Sequence, residues 1–311
     1  MLLTCMSASR TIFTIASKPT QRYGYRWASS SSSASTSTAK PDPNELRPLS
    51  RPLGVRDKPT TRHQTKMERL KDVLTNEDAI REQRKHLVKE AVTKGYFHDL
   101  NATRRHGGKS WIAPKVMIRE DKSLYLPDIA GKALSDGAER HTTTMCLGKV
   151  TLLSILSTKI SEIQTQAFTA PTLSRYSPFP HHHNPSYPDR QPNPLLQHIQ
   201  INLQLNPLKS LLFSNWLPFL NGLRKTIPEE DHERYLVSSG SSPTGNQNAH
   251  FEYVRDALGY HNDRVGYVFL VDPNLRIRWA GNADPTVEEV RSLEVCTGVL
   301  LGRLDKLKEG K

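Results

Sequence analysis

Cysteine is scarce. Cys5, Cys146 and Cys296 stand far apart in a chain of 311 residues. Their spacing offers neither a metal-ligand pattern nor a disulfide framework, and it suits a reducing compartment. Long apolar runs are missing as well. Nothing approaches the roughly 20 apolar residues needed to span a bilayer; the nearest stretch, PLKSLLFSNWLPFLNGL at 207–223, is broken by Lys209, Asn215 and Pro218. Acidic residues are absent from the first 41 positions, which carry five basic side chains. Hydrophobic residues make up only 36% of the chain and prolines number 21, so part of the length is expected to be extended instead of packed.

The net charge of +12 is unevenly placed: residues 1–41 carry +5, residues 42–122 carry +7, and residues 123–311 balance to zero. A globular nucleic-acid-binding domain should present its own positive face, so no nucleic-acid partner is expected. The first 40 residues are basic, rich in hydroxyls and serine, and able to form an amphipathic helix early on. They predict a mitochondrial presequence, cleaved near Arg26-Trp27-Ala28 or Arg22-Tyr23. A proline-rich linker follows at 41–62 and holds the motif RPLGV (51–55). Residues 63–134 read as a long charged helix, ending near Gly95 and followed by YFHDL, and then an aromatic, extended adapter, GKSWIAPKVMIREDKSLYLPDIAGKAL.

From residue 145 to 304 strands and helices alternate. KVTLLSIL is a buried strand running into a helix from about Lys159, and HIQINLQL is a second strand. Between them, the proline-punctuated stretch at 174–194 must be a loop. Pro207 opens an apolar helix that Pro218 kinks or divides. IPEEDHERYLVS reads as the start of another helix. GYVFLVD and LRIRWAG form a hairpin around Pro273-Asn274, with Leu275, Ile277 and Trp279 on one face and Arg276 and Arg278 guarding an edge on the other. The last helix begins with Asp284 as N-cap and Pro285 in its first turn. Strand, helix, strand, helix, hairpin, helix is the thioredoxin-like order, an α/β fold.

Two features turn that scaffold into a dithiol oxidoreductase: a Cys-x-x-Cys at the first strand–helix junction and a cis-proline before the hairpin. Here the junction holds Ser157, Thr158, Lys159, Ile160 and Ser161, and Val265-Gly266 precedes the hairpin. No catalytic residue and no cofactor are expected. His181–His183, in a loop with no carboxylate cluster nearby in sequence, read as low-complexity sequence and not as metal ligands. Glu229-Glu230-Asp231 read as a helix N-terminus and not as an acid/base pair.

The blocks RPLGV, YFHDL, the 108–134 adapter, INLQLNPLKSLLFSNWLPFLNGLRKTIPEE and GYVFLVDPNLRIRWAGNADPTVEEVRSL occur in an order that resembles the fungal mitochondrial assembly factors that chaperone subunit 6 (subunit a) into the Fo sector of ATP synthase. The resemblance covers roughly residues 48–304; the serine run and the Pro/His loop lie outside its recognisable features. It implies a non-enzymatic chaperone at the matrix side of the inner membrane, peripheral to it, with subunit 6 as partner and no place in the finished complex. On that reading Tyr96, Phe97, Trp111, Trp216, Phe219 and Trp279 are candidates for client contact, with Arg276 and Arg278 orienting the client. Two alternatives remain: a thioredoxin- or peroxiredoxin-like enzyme using Cys146 or Cys296, and a mitochondrial ribosome- or RNA-associated protein using the basic stretch 42–122.

Overall fold

The computed structural model describes residues 46–61, 106–187, 189–204, 216–239 and 247–309, all within the unit Pro43–Lys311. The stretches read as a presequence and as a charged helix, and YFHDL, lie outside the described residues. A seven-stranded mixed sheet organises the rest, in the order β2-β1-β5-β4-β3-β6-β7. Its strands are β1 (Ala130–Ala133), β2 (Glu139–His141), β3 (Val150–Leu156), β4 (Leu196–Gln204), β5 (Tyr235–Ser239), β6 (Tyr267–Val271) and β7 (Ile277–Asn282). The helices are α1 (Thr142–Cys146), α2 (Lys159–Tyr176), α3 (Trp216–Thr226), α4 (Gln247–Leu258) and α5 (Val287–Glu309).

The centre of the sheet is the expected thioredoxin-like unit. β3 runs parallel to β4 from Val150↔Leu196 to Leu156↔Asn202, and antiparallel to β6, which turns back into β7. Every residue of β3 is buried, as a continuous apolar run covered on both faces should be. On one face α2 and α5 cover Val150, Leu152, Leu196, Val268, Leu270 and Trp279 with Phe168, Leu173, Leu293 and Leu300. The two helices run side by side, tied by Gln164 to Asp284 at one end and by Arg175 to Glu294 further along. On the other face Leu153, Ile155, Ile199, Ile201, Tyr267 and Phe269 meet Leu53, Trp111, Leu126 and the α4 residues Val254 and Leu258. No described helix is long and apolar enough to cross a membrane.

Three expectations are corrected. First, IPEEDHERYLVS does not begin a helix. Glu229–Asp231 is a single 3-10 turn, and Tyr235–Ser239 is strand β5, parallel to β4. Pro228 and three acids imitate a helix start, but Tyr235, Leu236 and Val237 are buried as a strand would bury them. Second, the hairpin connection is longer than Pro273-Asn274: Leu275 takes a left-handed φ of 68°, and Asp272 accepts the amides of Asn274 and Arg276 through Oδ1. Third, the terminal helix is capped by Thr286, which exchanges hydrogen bonds with Glu289; Asp284 instead accepts from Gln164.

The adapter segment is indeed extended, and it works as a strap. Its backbone pairs along β7 through Ile118 with Arg278, Leu124 with Ile277, and Leu126 with Leu275. It then crosses the molecule to become β1, which pairs antiparallel with β5 at the opposite side of the sheet. RPLGV docks beneath it. Gly54 donates to Ala257 O at 2.8 Å, and Val55 pairs with Tyr125 in both directions. Gly54 is required there: its φ is +122°, and a Cβ would lie 2.4 Å from Tyr125 O.

Candidate functional site

The place where a thioredoxin-like enzyme would keep its thiols is the β3–α2 junction. Here it is a closed helix cap. Thr158 Oγ1 accepts from Ser161 N at 3.1 Å, while Ser161 Oγ accepts from the amides of Ser157 and Thr158, each at 2.9 Å. Thr158 Oγ1 also donates to Arg264 O at 3.1 Å, and Ser157 Oγ donates to Asp263 O. The Ser161 amide of the first turn and the two amides that lead into the helix are therefore spent on the chain's own hydroxyls. Gly266 stands where the cis-proline would be. A Cβ added to it would lie 2.5 Å from Ser161 O, and its amide donates to Gln164 Oε1. The backbone entering β6 thus presses against the first turn of α2.

The two described cysteines cannot replace the missing pair. Cys146 ends α1 on one face of the sheet; Cys296 lies on α5 on the other. Burial pushes the Cys146 thiol up to about 12, against a weaker lowering by its hydrogen bond with Thr151. Burial also raises the Cys296 thiol, opposed by Ser292. Both are thus held as thiols, the inert form.

Beside the junction exposed aliphatic residues alternate with charge: Lys159 pairs with Glu162 at 3.0 Å, and Arg264 is exposed. Ile160 and Ile163, one turn apart on α2, are 64% and 58% exposed, and Val287 opens α5 at 86% exposed. α2 and α5 bring their first turns to one end of the molecule, joined by Gln164 and Asp284.

Three of the sequence candidates for client contact are withdrawn from the surface. Trp279 is fully buried, its ring edge-on to Phe168 at 5.9 Å and its Nε1 donating to Pro114 O at 2.9 Å. Trp111 is packed against Tyr267, with ring centroids 5.8 Å apart. Arg278 is 3% exposed, paired with Asp272 at 3.1 Å and donating to Ile118 O. The hairpin alternation misplaced this pair of residues because β7 carries a bulge. Leu270 faces Trp279 and Val271 faces Ile277, so Arg278 is the extra residue and Trp279 turns to the α2/α5 face. Arg276 keeps part of its surface, but its guanidinium stacks over Tyr125 at 4.5 Å and donates to Glu120 O, Ser123 O and Tyr125 Oη. Both arginines fasten the strap to the edge strand. Trp216 and Phe219 fall at the start of α3, and Tyr96 and Phe97 lie outside the described residues.

The exposed isoleucines were overlooked because single aliphatic residues on a helix carry no motif. A second grouping was overlooked because its members are distant in sequence: His181 and His182 meet Asp231, some 50 residues on, with Glu230 beside it. The reading of the histidines as lacking carboxylates holds only along the chain.

Comparison with known proteins agrees with the motif blocks. A family model described as "ATP10 protein" matches residues 33–300. The mitochondrial ATPase complex subunit ATP10 of Saccharomyces cerevisiae is 26% identical over 262 residues, covering 82% of this chain and 87% of its own. The protein of the same name from Candida glabrata is 26% identical over 211 residues, covering 67% and 68%. Similar solved structures include a putative thiol:disulfide interchange protein DsbE from Chlorobium tepidum, at 14% identity and TM-score 0.30 over 56% of this chain and 94% of that one. Another is BsSco, of the Sco family of cytochrome c oxidase assembly proteins, at 11% and 0.34 over 56% and 92%. The assignment of fold rests on the strand order itself, and the match across 33–300 places the chain in the ATP10 family.

Proposed function

We propose that this protein is a mitochondrial assembly factor for the Fo sector of ATP synthase, binding newly made subunit 6 and promoting its incorporation without remaining in the mature complex. The observation that carries this reading is family membership across most of the chain, joined to relatives named as mitochondrial ATPase complex subunits. The geometry supports a binding role: a thioredoxin-like sheet whose β3–α2 junction is capped by hydroxyls, with Ile160 and Ile163 exposed at the start of α2, offers aliphatic contact surface in place of a nucleophile. Such a surface suits a client with transmembrane helices exposed before assembly. Tyr96, Phe97, Trp216 and Phe219 stay in the proposal as further client contacts. The basic stretch before residue 122 suits peripheral attachment to anionic head groups on the matrix side of the inner membrane, each nearby cation contributing about 1 kcal/mol.

The test is deletion in the organism. ATP synthase in the mutant should retain a catalytic head and lack a functional proton channel, and a photocrosslinker at Ile163 in the restored protein should capture newly synthesised subunit 6. Normal oligomycin-sensitive ATP synthase in the deletion would overturn the proposal. A Cys146→Ala, Cys296→Ala double variant separates binding from redox chemistry. It should restore assembly to the level of the unaltered protein, whereas a thiol enzyme would lose all activity.

A further inference from the structure

His181 and His182 sit in the 3-10 turn Pro180–His182 of the long loop between α2 and β4. The loop is folded back onto the turn before β5: the Arg234 guanidinium lies 4.4 Å from the centre of the Phe179 ring. The two imidazoles are 4.1 Å apart, and the Nε2 atoms of both converge on one oxygen, Asp231 Oδ2, at 2.9 and 3.3 Å. One donor atom from each of the three residues lies within 4.8 Å of the others. The remaining ring nitrogens are occupied. His181 Nδ1 is paired with the Glu230 carboxylate, and His182 Nδ1 with Ser177 Oγ at 2.7 Å.

This is the arrangement of a metal site with its supporting shell. A carboxylate or hydroxyl on one ring nitrogen orients the imidazole so that the other nitrogen presents its lone pair. In a tetrahedral Zn²⁺ site with bonds of about 2.0–2.2 Å, neighbouring donor atoms stand roughly 3.3 Å apart, close to the two nitrogen–oxygen separations of 2.9 and 3.3 Å. His181 has a carboxylate oxygen against each nitrogen, an anionic surrounding that suits a bound cation. Two imidazoles and a carboxylate are a borderline donor set that selects zinc-class ions over Mg²⁺ or Ca²⁺.

We propose that His181, His182 and Asp231 bind one zinc-class divalent ion, leaving a fourth position for water, and that the ion staples the Pro/His loop to the turn entering β5. Its two histidines lie in the Pro/His loop, outside the family's recognisable motifs, whereas Glu230 ends the IPEE block and Asp231 follows it.

The test uses the full chain stripped with chelator, titrated with Zn²⁺ and separately with Co²⁺, whose visible spectrum reports tetrahedral coordination. One-to-one saturable uptake with a tetrahedral Co²⁺ spectrum is expected. His182→Gln and Asp231→Asn should abolish it, Glu230→Gln should weaken it by about 10–100-fold, and the neighbouring His183→Gln should leave it unchanged. Zn²⁺ should also slow proteolysis of the 177–194 loop in the unaltered chain, a readout that needs no variant to fold. Absence of saturable uptake, or uptake that persists unchanged in both His182→Gln and Asp231→Asn, overturns the proposal in favour of imidazolium–carboxylate pairing alone.

Discussion

Replacing Lys109 with alanine should cost about 3–5 kcal/mol of stability, because it leaves a buried carboxylate without its countercharge. Lys109 Nζ binds Glu289 with both side chains almost fully buried, at 7% and 3% exposure, and also donates to Asp284 O. Glu289 is the point where the strap meets α5: it accepts from Ala113 N at 2.8 Å and from Thr286 N at 2.9 Å. Burial pushes its carboxyl upward, but Lys109 and the two backbone amides outweigh burial and hold it below its ordinary value of 4.5. A depressed carboxyl contributes stability above its unfolded value, lost as pH falls through the lower folded value. In Lys109→Ala the restraint is gone, so the penalty should be greatest near neutral pH and shrink below about 4.5, where the carboxyl is protonated in the variant. Thermal melting at pH 7 should show a drop of roughly 10 °C, given ~2–4 °C per kcal/mol at this size. Adding Glu289→Gln should recover part of the loss, since the glutamine needs no countercharge. A melting point unchanged from the unaltered protein would show that the pair is solvated.

How far the sequence could be read follows from the range over which each feature is determined. β3, the start of α2 and the presence of the terminal helix were legible because local patterns decide them: VTLLSIL is apolar throughout, and Pro285 with Glu288 and Glu289 marks a helix start, although the cap proved to be Thr286 and not Asp284. The lack of a Cys-x-x-Cys at the β3–α2 junction was legible for the same reason, since such a pair is a local motif. β5 was not, because its five residues follow a proline and three acids, and its identity depends on pairing with β4. The two outer strands β1 and β2 were missed likewise; AGKA has no strand signature and is held by partners. Exposure was the least legible property. For Trp111 and Trp279 the sequence left client contact and internal packing both open, and contacts distant in sequence decide for packing: Trp111 lies against Tyr267, and Trp279 against Phe168 and Pro114. The side of β7 on which Trp279 falls turns on one bulged residue, Arg278, which alternation alone cannot locate.

Truncating Trp279 to alanine should cost about 3–5 kcal/mol, the range for large-to-small changes at a fully buried aromatic. The indole fills the space between Phe168 on α2, Ser292 on α5 and Pro114 on the strap, so three separately folded pieces lose a common neighbour. Pro114 O keeps one donor, Ser292 Oγ at 2.8 Å, so the loss is chiefly one of packing, with little from unmet hydrogen bonds. Gly281 provides the internal check. A Cβ at that position would stand 2.6 Å from Trp279 Cη2 and 3.1 Å from Phe168 Cε1, so Gly281→Ala alone should destabilise by roughly 1–3 kcal/mol through overpacking. With Trp279 already truncated, the added methyl enters the vacated space, and the Gly281→Ala change should become neutral or favourable. Denaturant unfolding of the two single variants and the double variant measures that coupling directly. Additive losses would mean that the indole does not occupy the space beside Gly281, and Trp279 would then return to the set of residues able to face a client. A coupling of about 1–3 kcal/mol fixes it as the residue that locks the strap onto the α2/α5 face.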